Sequence, residues 1–371
     1  MNVIIIGAGK IGSTIAKLLY HDKEYDVTLA SRNEKTLLTL QKKTPFNIKQ
    51  IDVIDTKNIS TLLKEYDAVV SALSFYYNPI IAQAALEAGI NYFDLTEDIK
   101  TTKAIDAISK KAGPNQIFMP QCGLAPGFIG ILGYGLSKKF DKLRSVKMRV
   151  GALPIYPTNQ LKYNLTWSTD GLINEYCNPC ETIHQGKFKT VLPLEGMEHF
   201  SLDGIEYEAF NTSGGLGTLC KTFENKVQDL SYKTVRYKGH RFLMDFLLNG
   251  LHFRNSTDEL KEILESSIPY SAQDVVLIFC SVSGWIDDKL EQHSYARKIY
   301  HTEFHGEELS AIQITTASGL CAALDLLRVG KLPKSGYVRQ EDVNLDDFLA
   351  NRFSSIYENA QDCGTIMEAT I

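Results

Sequence analysis

Hydrophobic residues come in short, unbroken blocks along the first third of the chain. Val3-Ile4-Ile5-Ile6 is a wholly apolar, mostly β-branched run, the pattern of a strand buried on both faces. Gly7-Ala8-Gly9-Lys10-Ile11-Gly12 follows it, and Ser13 to Tyr20 has helical periodicity. Further strand-like runs are Val27 to Ala30, Ile48 to Val53, Ala68 to Ala72, Asn91 to Asp94 and Gln116 to Met119. Between Ala72 and Asn91, the stretch Pro79 to Ala88 reads as a helix, with proline near its start and Gly89 past its end. Strands alternating with helices predict an α/β fold with a Rossmann-type doubly wound parallel sheet, its roughly six strands complete by about residue 120.

The pattern changes after Cys122-Gly123-Leu124-Ala125-Pro126-Gly127 and the apolar, helix-like Phe128 to Leu136. Strand candidates then dominate: Val146 to Val150, Tyr163 to Ser168, Tyr232 to Tyr237, Asp274 to Val282 and Ala296 to Phe304. Hairpin turns are expected at Gln185-Gly186 and Asp203-Gly204. Helices are expected near Leu216 to Phe223, His240 to Leu248 and Asp258 to Ser266. This is the signature of a second, α+β domain with a largely antiparallel sheet. A long helical pattern runs from Gln313 to Val329 with Gly330 as its stop. A last helix begins with Asn344 as cap and carries Leu345, Phe348, Leu349, Phe353 and Ile356 on one face. The expected division is 1–122 for the dinucleotide-binding domain, 123–318 for a substrate-binding and oligomerisation domain, and 319–371 for carboxyl-terminal helices that pack back on the first domain.

Composition narrows the partners. The chain has 371 residues, 44% of them hydrophobic and 22% charged, which is ordinary globular usage. A formal charge of −5 provides no electrostatic footprint for nucleic acid. No apolar stretch approaches the roughly 18 residues of a membrane span, and the amino terminus lacks a signal-peptide core, so a cytoplasmic protein is expected. The seven cysteines are scattered and odd in number, and read as reduced thiols. Asn164-Leu165-Thr166 is then a chance match to a glycosylation triplet. Cys177-Asn178-Pro179-Cys180 has half of a zinc site's spacing but no second pair, and no metal is expected. His301 and His305 fall on one face of an expected strand, a solvated face rather than a metal motif, and His21 and His184 read as loop residues.

The amino-terminal glycines carry the first chemistry. In Gly-x-Gly-x-x-Gly after a strand and before a helix, Gly7 permits the tight bend, Gly9 lets the backbone approach a pyrophosphate, and Gly12 allows close helix–strand packing. Lys10 and Ile11 lie between them, where helix N–H groups would meet the phosphates. The second strand ends in Ser31-Arg32 rather than in the acidic residue of NAD-specific sites, and a hydroxyl and a guanidinium suit a 2′-phosphate. The cofactor is therefore NAD(P), with NADP(H) preferred over NAD(H). Ligands of such sheets bind beyond the carboxyl ends of the strands, which puts Asp52, Val53, Ala72, Leu73, Asp94 and Cys122 near it.

Several motifs together resemble one family. Cys122-Gly-Leu-Ala-Pro-Gly127, Arg149-Val-Gly-Ala-Leu-Pro154 and Asp170-Gly-Leu-Ile-Asn-Glu-Tyr176 are similar to motifs of the saccharopine dehydrogenase family, most of all its lysine 6-dehydrogenase branch. So are Thr212-Ser-Gly-Gly215, Lys233-Thr-Val-Arg-Tyr-Lys-Gly-His240, Gly336-Tyr-Val-Arg-Gln-Glu-Asp-Val343 and Phe348-Leu-Ala-Asn-Arg352. Ser31-Arg32 departs from the branch, whose members use NAD. The resemblance implies hydride transfer at a carbon bearing nitrogen. The leading expectation is oxidative deamination of the lysine ε-amine to the semialdehyde. The alternatives are a saccharopine reductase-type imine reduction that joins an amino acid to an aldehyde, and a catalytically silent cofactor-binding protein. It also implies Asp94 and Cys122 as proton-handling or amine-orienting groups. For the carboxylate of a small amino-acid substrate, the bidentate fork of Arg236 is favoured, with Tyr237, His240 and Arg241 near it in sequence. Antiparallel strands with open edges, and the habit of the resembled relatives, lead to the expectation of a homodimer or larger homo-oligomer.

Overall fold

The structure is a computed structural model that describes residues 1–362 and 366–368. Its amino-terminal part alternates as the apolar blocks require: β1 (Asn2–Ile6), α1 (Lys10–Tyr20), β2 (Asp26–Ser31), α2 (Glu34–Gln41), β3 (Asn47–Gln50), α3 (Thr56–Leu63), β4 (Ala68–Ser71), α4 (Asn78–Ala88), β5 (Asn91–Asp94), α5 (Ile99–Ser109) and β6 (Ile117–Met119). Next come α6 (Phe128–Ser137), β7 (Lys142–Pro154), α7 (Thr169–Cys177), β8 (Cys180–His184), β9 (Lys187–Val191), β10 (Glu198–Leu202), β11 (Ile205–Asn211), α8 (Leu219–Phe223) and β12 (Asp229–Tyr237). The remainder comprises α9 (His240–Asp245), α10 (Thr257–Ser267), β13 (Asp274–Ile286), β14 (Lys289–Tyr300), β15 (Thr302–Phe304), β16 (Glu307–Leu309), α11 (Ala311–Arg328), β17 (Gly336–Tyr337), α12 (Leu345–Leu349), α13 (Ser355–Glu358), β18 (Gln361–Asp362) and β19 (Ile366–Glu368). Two compact units result, Met1–Ile131 with Thr316–Glu358, and Leu132–Thr315 with Asn359–Ile371. The boundaries fall within α6 and within α11, the helix that also contains residue 318.

In the first unit a parallel sheet has the order β17-β6-β5-β4-β1-β2-β3. The order reverses at β1 and β4, the switch point at which a doubly wound sheet opens a crevice for a nucleotide. Ile4, Ile6, Val69, Tyr92 and Phe118 from the strands pack with Ile81 and Ala85 of α4 to form its core. Of the carboxyl-terminal part expected on this domain, Thr316–Glu358 belongs to this unit, whereas β18 and β19 join the sheet of the second. β17 adds a strand beside β6, Phe128 stacks on Phe348 and Tyr357, and Gln340 donates to the carbonyls of Pro120 and Gln121 at 2.9 Å each. Asp325 on α11 is a hub: it accepts from the Tyr25 hydroxyl (2.7 Å), Arg328 Nε (2.8 Å), Arg352 Nη2 (2.9 Å) and Asn351 Nδ2 (2.8 Å). Removing this buried acceptor leaves the Tyr25 phenol and the Asn351 amide without it, while Arg328 keeps Glu24 and Arg352 keeps Asp22, so Asp325→Ala is expected to cost about 2 kcal/mol in a denaturant titration. A midpoint equal to wild type would show that the hub is a solvated decoration.

The second unit is built on a mixed sheet whose main path runs β18-β14-β13-β7-β12-β11-β10-β19, with β8 and β9 branching from β12. All of its pairs are antiparallel except β7 with β12. β10 and β13 are four strand spacings apart, about 19 Å in a flat sheet. Yet the rings of Phe200 and Phe279 are 5.8 Å apart, and Lys298 of β14 pairs with Asp203 in the β10–β11 turn. The sheet therefore rolls on itself around Leu153, Tyr207, Val235 and Leu277, while its other face packs Phe210 against α7, α9 and α10 through Tyr176, Met244 and Leu264. β14 is paired with β18 and β10 with β19.

Several expected elements are corrected. Tyr163 to Ser168 is not a strand: Asn159 bonds the backbone of Tyr163, Ser168 caps α7, and one isolated bridge joins Leu165 to Tyr270. β3 stops at Gln50, short of Val53. The run Ala296 to Phe304 breaks at His301, and His305 sits in the β15–β16 turn with φ 49°, so the two histidines share no strand face. The last helix is interrupted between Leu349 and Ser355, where Asn351 turns its side chain to the Phe353 N–H and to Asp325. His184, expected in a loop, ends β8 and pairs with Asp229 at 2.8 Å.

Candidate active site

The glycine turn of the first unit shows what each glycine does. Gly7 has φ 119°, and a Cβ there would lie 2.5 Å from the Ala72 carbonyl oxygen. A Cβ at Gly12 would overlap the Gly7 carbonyl, so α1 packs onto β1 only because that position is bare. Gly9 differs from both. Its backbone is ordinary (φ −76°, ψ −174°), and nothing lies within 4 Å of where a Cβ would be. It caps α1 without a side-chain bond, and no acidic residue occupies the first turn. The N–H groups of Lys10, Ile11 and Gly12 thus have no acceptor earlier in the helix, and the space beside Gly9 is open, which fits a dinucleotide pyrophosphate.

The other predicted cofactor positions separate. Ser31 accepts from the Asn33 N–H at 3.3 Å, and Arg32 is exposed at the end of β2. The Arg32 guanidinium has no ion pair among the described residues. Asp52 is exposed and caps a turn through the Ile54 N–H at 3.1 Å. Val53 belongs to the hydrophobic core, and the partly buried Leu73 packs against it; Ala72 contributes backbone, and Leu73 a side chain, beside Gly7.

Asp94 and Cys122 are enclosed, with exposures of 0% and 3%. The Asp94 carboxylate accepts from the Tyr92 hydroxyl (2.7 Å) and from the N–H groups of Thr96 (2.9 Å) and Gln121 (3.0 Å). It thereby ties the loop after β5 to the loop after β6. Gln121 holds a left-handed backbone conformation (φ 63°) between this bond and the one from Gln340. The Cys122 thiol donates to the Met119 carbonyl at 3.0 Å, and burial, then the Asp94 charge, pushes its pKa well up, so it is a neutral thiol rather than a thiolate. Both residues are enclosed here and bonded to the loops that follow β5 and β6.

Burial raises the Asp94 pKa to about 6, against the three bonds that lower it. A folded-state value above the unfolded carboxyl's ordinary 3.9 or so means that the fold holds this proton more tightly. Its contribution to stability is full below about pH 4 and lost as pH rises through about 6. Asp94→Asn should flatten the stability profile across that window, measured by denaturant midpoints at pH 4, 5, 6 and 7. Parallel profiles for variant and wild type would assign the dependence to other groups.

In the second unit Arg236 is buried at 2% exposure, not an exposed strand-end cation. Its guanidinium lies 5.1 Å from the Tyr163 ring centre and 6.0 Å from that of Tyr176. Nε donates to the Tyr176 hydroxyl (3.0 Å), Nη1 to the Val235 carbonyl (2.9 Å), and Nη2 has no hydrogen-bonding partner among the described residues. Burial would lower its pKa, but the neighbouring Tyr176, Tyr163 and Glu175 outweigh it and hold the charge. His240 adjoins: Nδ1 is 2.8 Å from the Leu161 carbonyl and Nε2 is 3.2 Å from the Tyr176 hydroxyl. Burial first, then the charge of Arg236, lowers its pKa to about 3, so it is a neutral ring.

Tyr237 and Arg241 stand apart from this cluster. Successive strand residues point to opposite faces, so Tyr237 joins the rolled core and donates to the Pro154 carbonyl at 2.8 Å. Arg241 donates to the Leu194 carbonyl at 2.7 Å, and its backbone N–H, with that of Gly239, is held by Glu208. Neighbourhood in sequence misplaced both. Conversely, Tyr163, Glu175 and Tyr176 were not singled out, although Glu175 and Tyr176 end the quoted motif 170–176; a loop and a helix bring them to β12 only in three dimensions. Among the described residues, no group of three His, Cys, Asp or Glu could hold a metal ion. Nor is any helix there long and apolar enough to cross a membrane.

Comparison with known proteins gives the same picture of two parts. Residues 3–117 match the saccharopine dehydrogenase NADP binding domain, and residues 123–354 match the saccharopine dehydrogenase C-terminal domain. The chain belongs to the saccharopine dehydrogenase family. Among its relatives in this family is the saccharopine dehydrogenase [NADP(+), L-glutamate-forming] of Saccharomyces cerevisiae, 21% identical over 78% of this chain and 69% of that protein. The mitochondrial alpha-aminoadipic semialdehyde synthase of Mus musculus is 23% identical over 70% of this chain. The chain spans only 29% of the length of that mouse protein. A solved structure of apo histidine-tagged saccharopine dehydrogenase (L-Glu forming) from Saccharomyces cerevisiae superposes with a TM-score of 0.80, covering 100% of both chains at 16% identity. The family's members are oxidoreductases, and its NADP binding domain accounts for the glycine turn; the open space at Gly9 and the absence of an acidic residue in the first turn of α1 are the features of this chain that fit NAD(P).

Proposed function

We propose that this member of the saccharopine dehydrogenase family is an NAD(P)-dependent dehydrogenase that oxidises the ε-carbon of lysine, releasing ammonia and leaving the semialdehyde. Buried Arg236, with Nη2 free beside an aromatic wall, carries the reading: it is a ready anchor for one carboxylate. When bound, the nicotinamide supplies hydride acceptance. The chain's own tasks are to hold the pyrophosphate at Gly9 and the start of α1, and to fix the amino acid by its carboxylate at Arg236. The neutral amine loses hydride from its carbon, water adds to the resulting iminium, and ammonia departs. A second reading is oxidation of saccharopine at the same carbon, with glutamate as the departing amine; the names of the yeast and mouse relatives favour it.

Absorbance at 340 nm with NAD or NADP, against lysine, saccharopine and ornithine, separates the readings. Reduction with lysine alone is the expected result; turnover with saccharopine alone selects the second reading, and silence with all three defeats both. NADP preference is proposed from the unpaired, exposed Arg32. Arg32→Ala should raise the KM for NADP about tenfold and leave that for NAD within about twofold, as expected for loss of one guanidinium–phosphate contact. Equal changes for both cofactors would remove Arg32 from the 2′-phosphate.

A further inference from the structure

The buried polar atoms around Arg236 form a chain whose hydrogen-bond direction can be worked out from chemistry. The Leu161 carbonyl oxygen has no proton to give, so the His240 nitrogen 2.8 Å from it, Nδ1, must carry one. A neutral imidazole carries only one, so Nε2 is an acceptor, and the Tyr176 hydroxyl 3.2 Å away must donate to it. With its proton directed at His240, the phenol oxygen presents its lone pairs elsewhere, and Arg236 Nε donates into one at 3.0 Å. Every step is enclosed: Arg236, Tyr176 and His240 are each at 2% exposure or less. Phe210 stacks 6.4 Å from the imidazole and Tyr163 tilts against it at 5.5 Å, so ring flips meet packed neighbours. A relay in which each member has one possible direction holds the guanidinium at Nε. Nη1 is held by Val235, and the fork is left with Nη2 as its free donor.

We propose that Tyr176 and His240 are positioning residues for Arg236: the Leu161 carbonyl locks His240 as the Nδ1–H tautomer, and this turns the Tyr176 oxygen toward Arg236 and aims the free guanidinium donor at the substrate carboxylate. The proposal rests on the reading of Arg236 as carboxylate anchor. Its experiment has one arm that needs no substrate. Long-range proton–nitrogen correlation spectra of the full chain carrying 15N-labelled histidine should show His240 protonated at Nδ1 and bare at Nε2; a proton on Nε2 overturns the relay. The second arm compares L-lysine with cadaverine, the same diamine without a carboxylate, in wild type and Tyr176→Phe. The KM for lysine should rise about tenfold, the scale of a lost hydrogen bond to a charged group, while the KM for cadaverine stays unchanged. A purely structural loss would move both. If wild type prefers lysine and Tyr176→Phe keeps the full preference, positioning is refuted while the anchor stands. If wild type turns over lysine without preferring it to cadaverine, the anchor itself falls, and the relay's purpose with it. Should saccharopine prove the substrate, its KM replaces that of lysine, with the same tenfold expectation for Tyr176→Phe against an unchanged KM for the dinucleotide.

Discussion

Gly9→Ala is expected to fold with wild-type stability and to bind NADPH about ten- to a hundredfold more weakly, whereas Gly12→Ala is expected to lose the fold of the first unit. The contrast follows from where the added methyl goes. At Gly9 the backbone is one that alanine adopts freely, and no protein atom lies within 4 Å of the new Cβ. The methyl enters the space in front of the α1 N–H groups and holds the pyrophosphate away from them. Losing one or two charge-assisted bonds there is worth about 1.5–3 kcal/mol, which is the stated range of affinity. At Gly12 the methyl meets the Gly7 carbonyl, a backbone atom that β1 and β2 hold in place. Relief requires α1 to leave the sheet that it packs on, so the effect should appear in the thermal midpoint before any ligand is added. Fluorescence titration with NADPH and thermal melts of both variants check this. Unchanged NADPH affinity in Gly9→Ala would place the pyrophosphate elsewhere, and a stable Gly12→Ala would show that α1 can shift cheaply.

Arg236→Ala is expected to abolish discrimination between lysine and cadaverine, raising the KM for lysine by about a hundredfold or more, as for a desolvated guanidinium–carboxylate pair that loses one partner. Arg236→Lys should recover little of it. An ammonium has no Nε to meet the Tyr176 oxygen and no planar fork, so the Tyr176 hydroxyl would keep His240 but lose the donor it accepts from. The same substitution to alanine removes a guanidinium from between the Tyr163 and Tyr176 rings, and a loss of stability accompanies the loss of affinity. The two effects separate by measurement: the cadaverine KM reports general damage to the site, and the ratio of the two KM values reports the carboxylate. A ratio equal to wild type would exclude Arg236 as the anchor.

Much of the first unit was legible because its signals are local. A four-residue apolar run such as Val3 to Ile6 can be satisfied only by burial on both faces, and proline at the start with glycine at the end bounds α4 by backbone chemistry alone. The second unit was legible in class but less so in extent. Tyr163 to Ser168 has strand-like composition, yet side chains of Asn159 and Ser168 offer its backbone nearer partners than a sheet would. The last helix has the right periodicity, and Asn351 breaks it because Asp325, distant in sequence, draws on the same side chain.

The site divides in the same way. The glycine turn, its place after β1 and the cation at the end of β2 were determined by the sequence, since each depends on bonds and sterics within a few residues. Arg236 was also found there, but its meaning was not. Whether it is a solvated strand-end cation or a buried anchor depends on α7, the loop before it and α9 converging on one face of β12. Tyr237, next in sequence, is sent to the opposite face by the pleat, while Tyr176 and His240, 60 residues and more away or across a turn, are brought into contact. Likewise only the tertiary structure showed that Asp94 and Cys122, at the strand ends, are enclosed. Burial and the direction of hydrogen bonds are properties of surrounding atoms that arrive from distant segments, and a local pattern carries no record of them.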